Sequence, residues 1–229
     1  ADVTARNINL GGDGTLFTLI TPVGEIDVQA KLRGKFNLYN MICAAAATYA
    51  QGISLEEIKM GLEEEIIVAG RFQSVNQGQD FTVIVDYAHT PDGLVKVLKA
   101  ARSMNPERII TVFGCGGDRD HSKRPKMGAI VEELSDIAVI TDDNPRTEDP
   151  EKITDQIVTA FKDRCNYKVI HDRREAIQYA INIAKTNDLV LIAGKGHENT
   201  QTLKDKTIHF NDFEVASEIL VKEHRNLLS

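Results

Sequence analysis

The chain has 229 residues, of which 42% are apolar, and its formal net charge at pH 7 is −7. This apolar fraction can bury one or two hydrophobic cores, so a disordered chain is excluded. An acidic chain without a dense run of lysine and arginine does not fit nucleic acid or an anionic membrane as its main partner. We expect a soluble, monomeric enzyme or small-molecule-binding domain.

The three cysteines, Cys43, Cys115 and Cys165, stand singly, without a CxxC pair or a histidine cluster at metal-ligand spacing. The sequence therefore predicts neither a disulfide framework nor a metal site, and we expect a reducing, cytoplasmic setting. The longest apolar runs are far shorter than a bilayer span, so membrane insertion is not expected. The amino terminus has no apolar signal core and no initiator methionine.

The first third of the chain is predicted to form a small sheet and two helices. Apolar residues alternate along residues 15–30 around a Pro–Gly turn, which predicts a β-hairpin. A helix rich in Ala, Leu and Met is predicted over residues 37–50. A second helix is predicted over residues 54–64, because a Ser–Glu capping box opens it. Gly70 then marks a predicted domain boundary.

From residue 71 onward, strand and helix patterns alternate. This alternation predicts right-handed βαβ units, with a mostly parallel sheet and helices on both faces, which is a Rossmann-like α/β domain. The predicted strands are 72–76, 81–86, 108–113, 137–141, 167–171 and 188–193. The predicted helices are 92–104, 124–134, 150–162, 173–185 and 212–223.

Polar residues follow four of these predicted strands. The run from Thr141 to Arg146 is the most informative, since two acids, an amide, a proline and an arginine follow an apolar strand. Turns use the same residue types, but residues 86–92, 114–120 and 194–198 also combine glycine with charged residues or histidine with acids. Ligands of open parallel sheets bind outside the carboxyl ends of the strands. The four segments therefore predict a small-molecule site with groups of both charge signs.

Two common nucleotide motifs do not fit these segments. Gly114 to Gly117 resembles part of the dinucleotide fingerprint, but Arg119 stands where the third glycine is required. Gly194 to Gly196 resembles the end of a Walker A loop, but Gly196 stands where Ser or Thr should bind magnesium. An NAD site is thus a minor hypothesis, and the chain contains no GxxxxGK[ST] motif.

The six histidines divide by context. His89 and His197 follow predicted strands, which favours ligand contact over the core or capping role usual for a lone histidine. The others have no such context and are predicted to lie on the surface: His121, His171, His209 and His224.

Six segments of the chain, taken in order, match the motifs of a known family. They are Gly34 to Asn40, Gly70 to Phe72, Asp86 to Asp92, Gly114 to Asp120, Asp143 to Arg146 and Gly194 to Glu198. Together they closely resemble the motifs of the Mur ligase family over nearly the full chain. The branch of the family that adds meso-diaminopimelate is the most similar.

The resemblance implies an ATP- and Mg²⁺-dependent ligation in peptidoglycan assembly. In that reaction the D-glutamate carboxylate of UDP-MurNAc-L-Ala-D-Glu is phosphorylated, and the amine of meso-diaminopimelate attacks the acyl phosphate. Carried onto this chain, the resemblance assigns amino-acid binding to Arg119, Asp143, Asn144, Pro145, Arg146, Gly194 and Glu198. It assigns ATP contacts to Asn40, Arg71, Asp86 and His89, with Asn40 towards adenine.

The chemistry of meso-diaminopimelate explains why an arginine would select it. Its distal end carries a carboxylate beside the ammonium group, whereas lysine has the ammonium group alone. Arginine binds a carboxylate through two parallel hydrogen bonds, and acids bind the ammonium groups. Lysine would leave Arg146 desolvated and unpaired, so diaminopimelate is the predicted substrate.

The chain lacks several motifs of complete family members, namely the UDP-binding domain, the ATP loop, the magnesium ligands and a carbamylated lysine. The resemblance implies that residues 1–69 are the tail of the central ATP-binding domain and residues 70–229 the carboxyl-terminal Rossmann-like domain. ATP and Mg²⁺ are expected to bind mainly outside this chain, which is expected to hold no catalytic residue and to be inactive alone. The open alternatives are a lysine-adding or folylpolyglutamate-type ligase and an autonomous amino-acid- or nucleotide-binding domain.

Overall fold

The computed structural model describes residues 2–11, 14–32, 34–64, 68–162 and 165–227. The chain divides into two compact units, Ala1–Val68 and Ala69–Ser229. Within the described ranges, no helix has both the length and the apolar character needed to cross a bilayer.

The first unit is an antiparallel sheet with two helices. Its elements are β1 (Thr4–Gly11), β2 (Gly14–Thr21), β3 (Gly24–Ala30), α1 (Lys35–Ala50) and α2 (Leu55–Glu63). The predicted hairpin is confirmed as β2 and β3, which pair in the sheet order β1-β2-β3. β1 was not predicted, because almost all of its residues are exposed and no apolar alternation marks it.

The capping box of α2 and a small core stabilise this unit. The Ser54 hydroxyl accepts a hydrogen bond from the Glu57 amide, and the Glu57 carboxylate accepts one from the Ser54 amide. The core packs the inner face of the sheet against both helices and contains Phe17, Leu19, Val28, Ala30, Leu38, Met41, Ala45 and Ile58.

The second unit is a Rossmann-like α/β domain, as predicted. Its first elements are β4 (Gln73–Val75), β5 (Thr82–Asp86), α3 (Pro91–Arg102), β6 (Ile109–Phe113), α4 (Lys123–Leu134), β7 (Ile137–Ile140) and α5 (Pro150–Val158). They are followed by β8 (Asn166–Val169), α6 (Arg173–Ile183), β9 (Leu189–Ala193), β10 (Thr200–Thr202), β11 (Thr207–His209) and α7 (Asp212–Leu227). The main sheet has the order β4-β5-β9-β6-β7-β8, and β4 alone runs antiparallel to its neighbour.

Crossover geometry places the helices on two faces of this sheet. The connections through α3, α4 and α5 advance across the sheet in one direction, whereas the connection through α6 returns from β8 to β9. Since such crossovers are right-handed, α6 lies on the face opposite α3, α4 and α5. Residues of α6 and α7, including Ile177 and Ile219, share a buried core with Val85, Val112 and Ile192 of the strands.

Several predicted boundaries differ from those observed. The helix predicted over 150–162 ends at Val158, and the helix predicted over 212–223 continues to Leu227. The hairpin of β10 and β11 was not predicted, because its strands have three residues each and are mostly polar.

The strand order determines where the polar segments meet. β5, β9, β6 and β7 are consecutive neighbours in the sheet, and all four run parallel. Their carboxyl ends therefore lie along one edge, which brings together the four polar segments that the sequence singled out.

Candidate functional site

A cleft of about 440 Å³ opens at the carboxyl ends of β5, β9, β6 and β7. Six of the seven predicted amino-acid-binding residues line it: Arg119, Asp143, Asn144, Arg146, Gly194 and Glu198. Pro145 is buried beside them in the same loop. The cleft also contains residues to which no role was assigned: Tyr87, Thr90, Gly114, Gly116, Asp120 and Lys123.

The glycines after β6 allow neighbouring loops to approach closely. A Cβ atom on Gly114 would lie 2.1 Å from the backbone oxygen of Thr141, and one on Gly116 would lie 2.9 Å from Nη1 of Arg146. A Cβ atom on Gly117 would lie 1.9 Å from the backbone oxygen of Pro145. These glycines therefore fit the β6 loop against the β7 loop, which explains them without a dinucleotide fingerprint.

Arg146 is held by contacts at both its backbone and its guanidinium group. Its φ of 55° is unusual for a residue other than glycine, and its amide donates to the Thr202 carbonyl at 3.1 Å. Nη1 donates to the carbonyl oxygens of Gly117 at 2.8 Å and Asn144 at 3.4 Å. Nη2 and Nε have no hydrogen-bond partner among the described residues, so they can donate to a bound carboxylate.

Asp143 supplies a carboxylate to the floor of the cleft. Its carbonyl oxygen accepts a hydrogen bond from Gln201 at 2.9 Å, which fixes the backbone. The residue is 9% exposed, yet its carboxylate has no hydrogen-bond partner within the described part of the chain. A Cβ atom on Gly194 would lie 2.9 Å from Oδ2, so glycine is needed beside it. A buried carboxylate of this kind is stabilised by a cationic ligand.

Asn144, Lys195 and Glu198 form one hydrogen-bonded group. Lys195 Nζ donates to Asn144 Oδ1 at 3.1 Å and to Glu198 Oε2 at 3.0 Å. Asn144 Nδ2 donates to the same Glu198 oxygen at 3.1 Å, and the Thr202 amide donates to Asn144 Oδ1 at 2.9 Å. Lys195 was not predicted as a site residue, because the sequence did not reveal that its side chain is buried.

The electrostatics of this group favour ionised Glu198. Partial burial alone would raise the pKa of Glu198, but the hydrogen bond and charge of Lys195, with Asn144 and Arg146, bring that pKa below its ordinary value. Glu198 is therefore a carboxylate at neutral pH. Its Oε1 atom has no hydrogen-bond partner in the described ranges.

The outer part of the cleft carries further charges of both signs. Arg119 and Asp120 are exposed there, and Lys123 Nζ donates to the His89 carbonyl oxygen at 3.1 Å. With Arg146, Asp143 and Glu198, the cleft has three cations and three carboxylates. Such a lining suits a ligand that itself carries both carboxylate and ammonium groups.

Two buried arginines support the loops behind the cleft. Arg124 donates to both oxygens of Glu148 at 2.9 Å and to the Gly116 carbonyl oxygen at 3.2 Å. Arg173 donates to both oxygens of Asp212 at 2.8 Å, and also to the carbonyl oxygen of Ala193. Neither was predicted, since a charged residue in a helix start ordinarily lies in solvent.

The residues assigned to ATP have different environments. The Asp86 oxygens accept hydrogen bonds from the amides of Phe72 and Ala88, at 2.8 Å each, and burial raises the pKa of this carboxyl group. The Arg71 guanidinium lies 5.0 Å from the Tyr87 ring centroid, and His89 Nδ1 lies 2.8 Å from the Tyr87 carbonyl oxygen. Asn40 is exposed on α1, in the first unit.

The histidines mostly follow the sequence-based prediction. His121 and His209 are exposed and pair with Glu148 and Glu214. His171 also lies at the surface, with 42% of its side chain exposed, and its Nδ1 lies 2.9 Å from an Asp142 oxygen. The His224 side chain lies outside the described part of the chain. His197 is exposed beside Tyr87, with ring centroids 5.0 Å apart.

A second cavity, of about 580 Å³, lies between α6, the β10–β11 hairpin and α7. Several of its ionisable side chains pair with one another, since Arg174 contacts Glu218 at 2.6 Å and His209 contacts Glu214 at 2.6 Å. None of the predicted site residues lines it, so the cleft remains the candidate site.

Neither a reactive Cys115 thiol nor a cluster of metal ligands is found in the described ranges. Cys115 is buried, and burial raises the pKa of its thiol to about 12, so it is not a nucleophile at neutral pH. Among the residues the structure covers, no group of three or more His, Cys, Asp or Glu side chains is arranged to hold a metal ion.

A family model described as "Mur ligase, glutamate ligase domain" matches residues 70–196. The chain belongs to the Mur ligase family. This match includes every residue that lines the cleft except Glu198, which lies just beyond its end.

Individual Mur ligases resemble nearly the whole chain. The "UDP-N-acetylmuramoyl-L-alanyl-D-glutamate--2,6-diaminopimelate ligase 1" of Clostridium acetobutylicum is 50% identical over 222 residues, which cover 96% of this chain and 46% of that protein. The corresponding ligase of Alkaliphilus metalliredigens is 50% identical over 224 residues, covering 97% of this chain and 45% of that protein. The chain thus spans about half the length of these relatives.

Solved structures agree with this family assignment. The solved structure of a UDP-N-acetylmuramoyl-L-alanyl-D-glutamate--2,6-diaminopimelate ligase matches with a TM-score of 0.71 and 36% sequence identity. The match covers 98% of this chain and 46% of that one. A folylpolyglutamate synthase from Thermotoga maritima is 22% identical, with a TM-score of 0.66, over 84% of this chain and 44% of that one. At that identity the second likeness concerns the fold alone.

Proposed function

We propose that this chain is the amino-acid-selecting part of a ligase that adds meso-diaminopimelate to UDP-MurNAc-L-Ala-D-Glu at the expense of ATP. One observation carries the proposal: in the cleft, two guanidinium nitrogens of Arg146 and the carboxylate of Asp143 have no hydrogen-bond partner among the described residues. The names of the two relatives that are 50% identical support this substrate pair.

Complementary charges explain how the cleft would bind this amino acid. Nη2 and Nε of Arg146 would donate to the distal carboxylate, in the side-by-side geometry that guanidinium and carboxylate groups favour. Asp143 and Oε1 of Glu198 would accept hydrogen bonds from ammonium groups, and Arg119 would lie near the opening. Gly194 would leave room for the amino acid beside Asp143. Lysine lacks the distal carboxylate, so Arg146 would be left without its partner.

The chain's contribution to ATP binding would come from Arg71 and His89 beside Tyr87, and from Asn40 on α1. Asp86 would act indirectly, because backbone amides already occupy both of its oxygens. Bound Mg²⁺ would neutralise phosphate charge during transfer to the dipeptide carboxylate. No described residue cluster fits this ion, so we assign no metal ligand to the chain.

Amino-acid selection can be tested by competition in the longer gene product that contains this chain. Purified enzyme would receive ATP, Mg²⁺, the UDP-linked dipeptide and equal amounts of meso-diaminopimelate, L-lysine and L-glutamate, and mass spectrometry would identify the product. We expect the diaminopimelate product to predominate by about a hundredfold or more. Equal use of lysine would contradict the proposed selectivity, and product made with glutamate would favour a folylpolyglutamate-type ligase.

Binding to the chain itself can be tested separately. Saturation-transfer NMR detects weak ligands, and it would compare meso-diaminopimelate, L-lysine and ATP as ligands of residues 1–229. Transfer to meso-diaminopimelate that is lost in Asp143→Asn is the expected result. A nucleotide-only response would instead support an autonomous nucleotide-binding domain.

A further inference from the structure

Lys195 is fully buried although it carries a flexible charged side chain. It is the second residue after β9 and stands between Gly194, at φ 121°, and Gly196, at φ 53°. A Cβ atom on Gly196 would lie 2.7 Å from the Tyr87 side chain, so the turn around Lys195 is tightly enclosed. Burial of a lysine is costly unless its ammonium group has charged or polar partners.

The ammonium group of Lys195 joins two loops that the sheet keeps apart. β7 and β9 are not neighbours, because β6 lies between them. Nζ reaches Asn144 in the loop after β7 and Glu198 in the loop after β9. A single buried cation thus fixes both side chains relative to each other.

We propose that Lys195 is a positioning residue that orients Glu198 and Asn144 for the ammonium end of the amino-acid substrate. This inference rests on the proposed function. Lys195 does not line the cleft, so it acts through its two partners and does not contact the substrate.

The hydrogen-bond directions explain how Lys195 would do this. Lys195 and Asn144 both donate to Oε2 of Glu198, which leaves Oε1 available for an ammonium group. Lys195 and the Thr202 amide both donate to Oδ1 of Asn144, so the amide nitrogen must point towards Glu198. Loss of the lysine would leave Glu198 with only the Asn144 amide as a donor and Asn144 Oδ1 with only the Thr202 amide among the described residues, so both side chains would be held less firmly.

Lys195 would also keep Glu198 charged as the pH falls. The cations that act on Glu198 are Lys195 and Arg146, and the buried Arg173 adds a more distant charge. Asp143 is the other carboxylate at the base of the cleft. Without Lys195, partial burial would dominate, and Glu198 would become protonated at a higher pH.

The experiment compares Lys195→Met with wild type in the longer gene product, and Lys204→Met, on the exposed turn between β10 and β11, serves as the matched control. For Lys195→Met we expect the KM for meso-diaminopimelate to rise about tenfold or more. We expect the KM for ATP to remain unchanged, and the acid limb of kcat/KM for diaminopimelate to move to higher pH. Lys204→Met should match wild type in both KM values and in the pH profile of kcat/KM.

A double-mutant cycle with Glu198→Gln provides a second test. If Lys195 acts through Glu198, adding Lys195→Met to Glu198→Gln should change the KM for diaminopimelate less than twofold. The double variant also removes the stranded carboxylate, so it remains informative if Lys195→Met alone fails to fold. Thermal unfolding followed by circular dichroism would check every variant.

The outcomes separate this inference from the proposed function. A wild-type enzyme that does not use meso-diaminopimelate would contradict the proposed function itself. Wild-type use of diaminopimelate with an unchanged KM and pH profile in Lys195→Met would overturn only the role of Lys195. Equal increases in the KM for ATP and for diaminopimelate, or full additivity in the cycle, would overturn it as well.

Discussion

The guanidinium group of Arg124 donates to both carboxylate oxygens of Glu148, at 2.9 Å each. Arg124 belongs to α4, whereas Glu148 follows the loop that contains Arg146. Glu148 also accepts a hydrogen bond from the Asp118 amide at 2.5 Å. The pair therefore connects the loop after β6 to the loop after β7, behind the cleft, and stabilises the local arrangement that Arg146 requires.

This pair predicts a pH-dependent stability. The hydrogen bonds and charge of Arg124, with the Asp118 amide and His121, lower the pKa of Glu148 to about 2. Because the folded-state pKa is depressed, the stabilisation is fully present above the ordinary pKa of 4.5 and is lost as the pH falls towards 2. In urea unfolding at neutral pH, Glu148→Gln should lower the free energy of unfolding by about 2 kcal/mol. The difference from wild type should shrink below pH 4.5, and a constant difference would contradict this explanation.

Arg146→Lys should weaken selection for the distal carboxylate. Lysine retains the positive charge but cannot make two parallel hydrogen bonds to a carboxylate. In the competition assay with L-lysine, we expect the preference for meso-diaminopimelate to fall by roughly tenfold to hundredfold. Exposed Arg102, which pairs with Asp136 at 2.8 Å, offers a control in Arg102→Lys. A preference that survives Arg146→Lys would place selectivity elsewhere.

Gly116 and Gly117 are neighbours, yet alanine should affect them differently. At Gly116 the added methyl group would meet the end of the flexible Arg146 side chain, 2.9 Å away. We expect Gly116→Ala to raise the KM for the amino acid while the midpoint temperature of unfolding stays close to wild type.

At Gly117 the added methyl group would lie 1.9 Å from a backbone oxygen of Pro145, which cannot move without the whole loop. Gly117→Ala should lower the free energy of unfolding by about 1–3 kcal/mol. Calorimetric melting curves of the two variants would check the contrast, and equal destabilisation would refute it.

The Arg173–Asp212 pair is fully buried, and Arg173 also donates to the Ala193 carbonyl oxygen at 3.1 Å. Arg173→Met would leave the Asp212 charge buried without its partner, so we expect a loss of about 3–5 kcal/mol in urea unfolding. Arg173→Met combined with Asp212→Asn should recover part of that loss. A double variant less stable than the single one would show that the charge pairing is not the main effect.

Local patterns in the sequence were sufficient to predict most of the second unit. Buried parallel strands appear as short apolar runs, and helices such as α3 and α6 begin at capping residues, Thr90 and Asp172. Both signals depend only on residues close in the chain. The same locality explains why β1 and the β10–β11 hairpin were not predicted, since their short or exposed strands bury too few apolar residues.

The sequence by itself determined which segments carry the site, because glycines, acids, arginine and histidine gather where apolar strands end. Tertiary structure alone decided how those residues are used. Insertion of β9 between β5 and β6 brings Glu198 to Asn144, places Lys195 beneath both, and leaves the Asp143 carboxylate without a hydrogen-bond partner among the described residues. Strand order and burial arise from contacts between residues far apart in the chain, and no local pattern encodes which polar groups those contacts will satisfy.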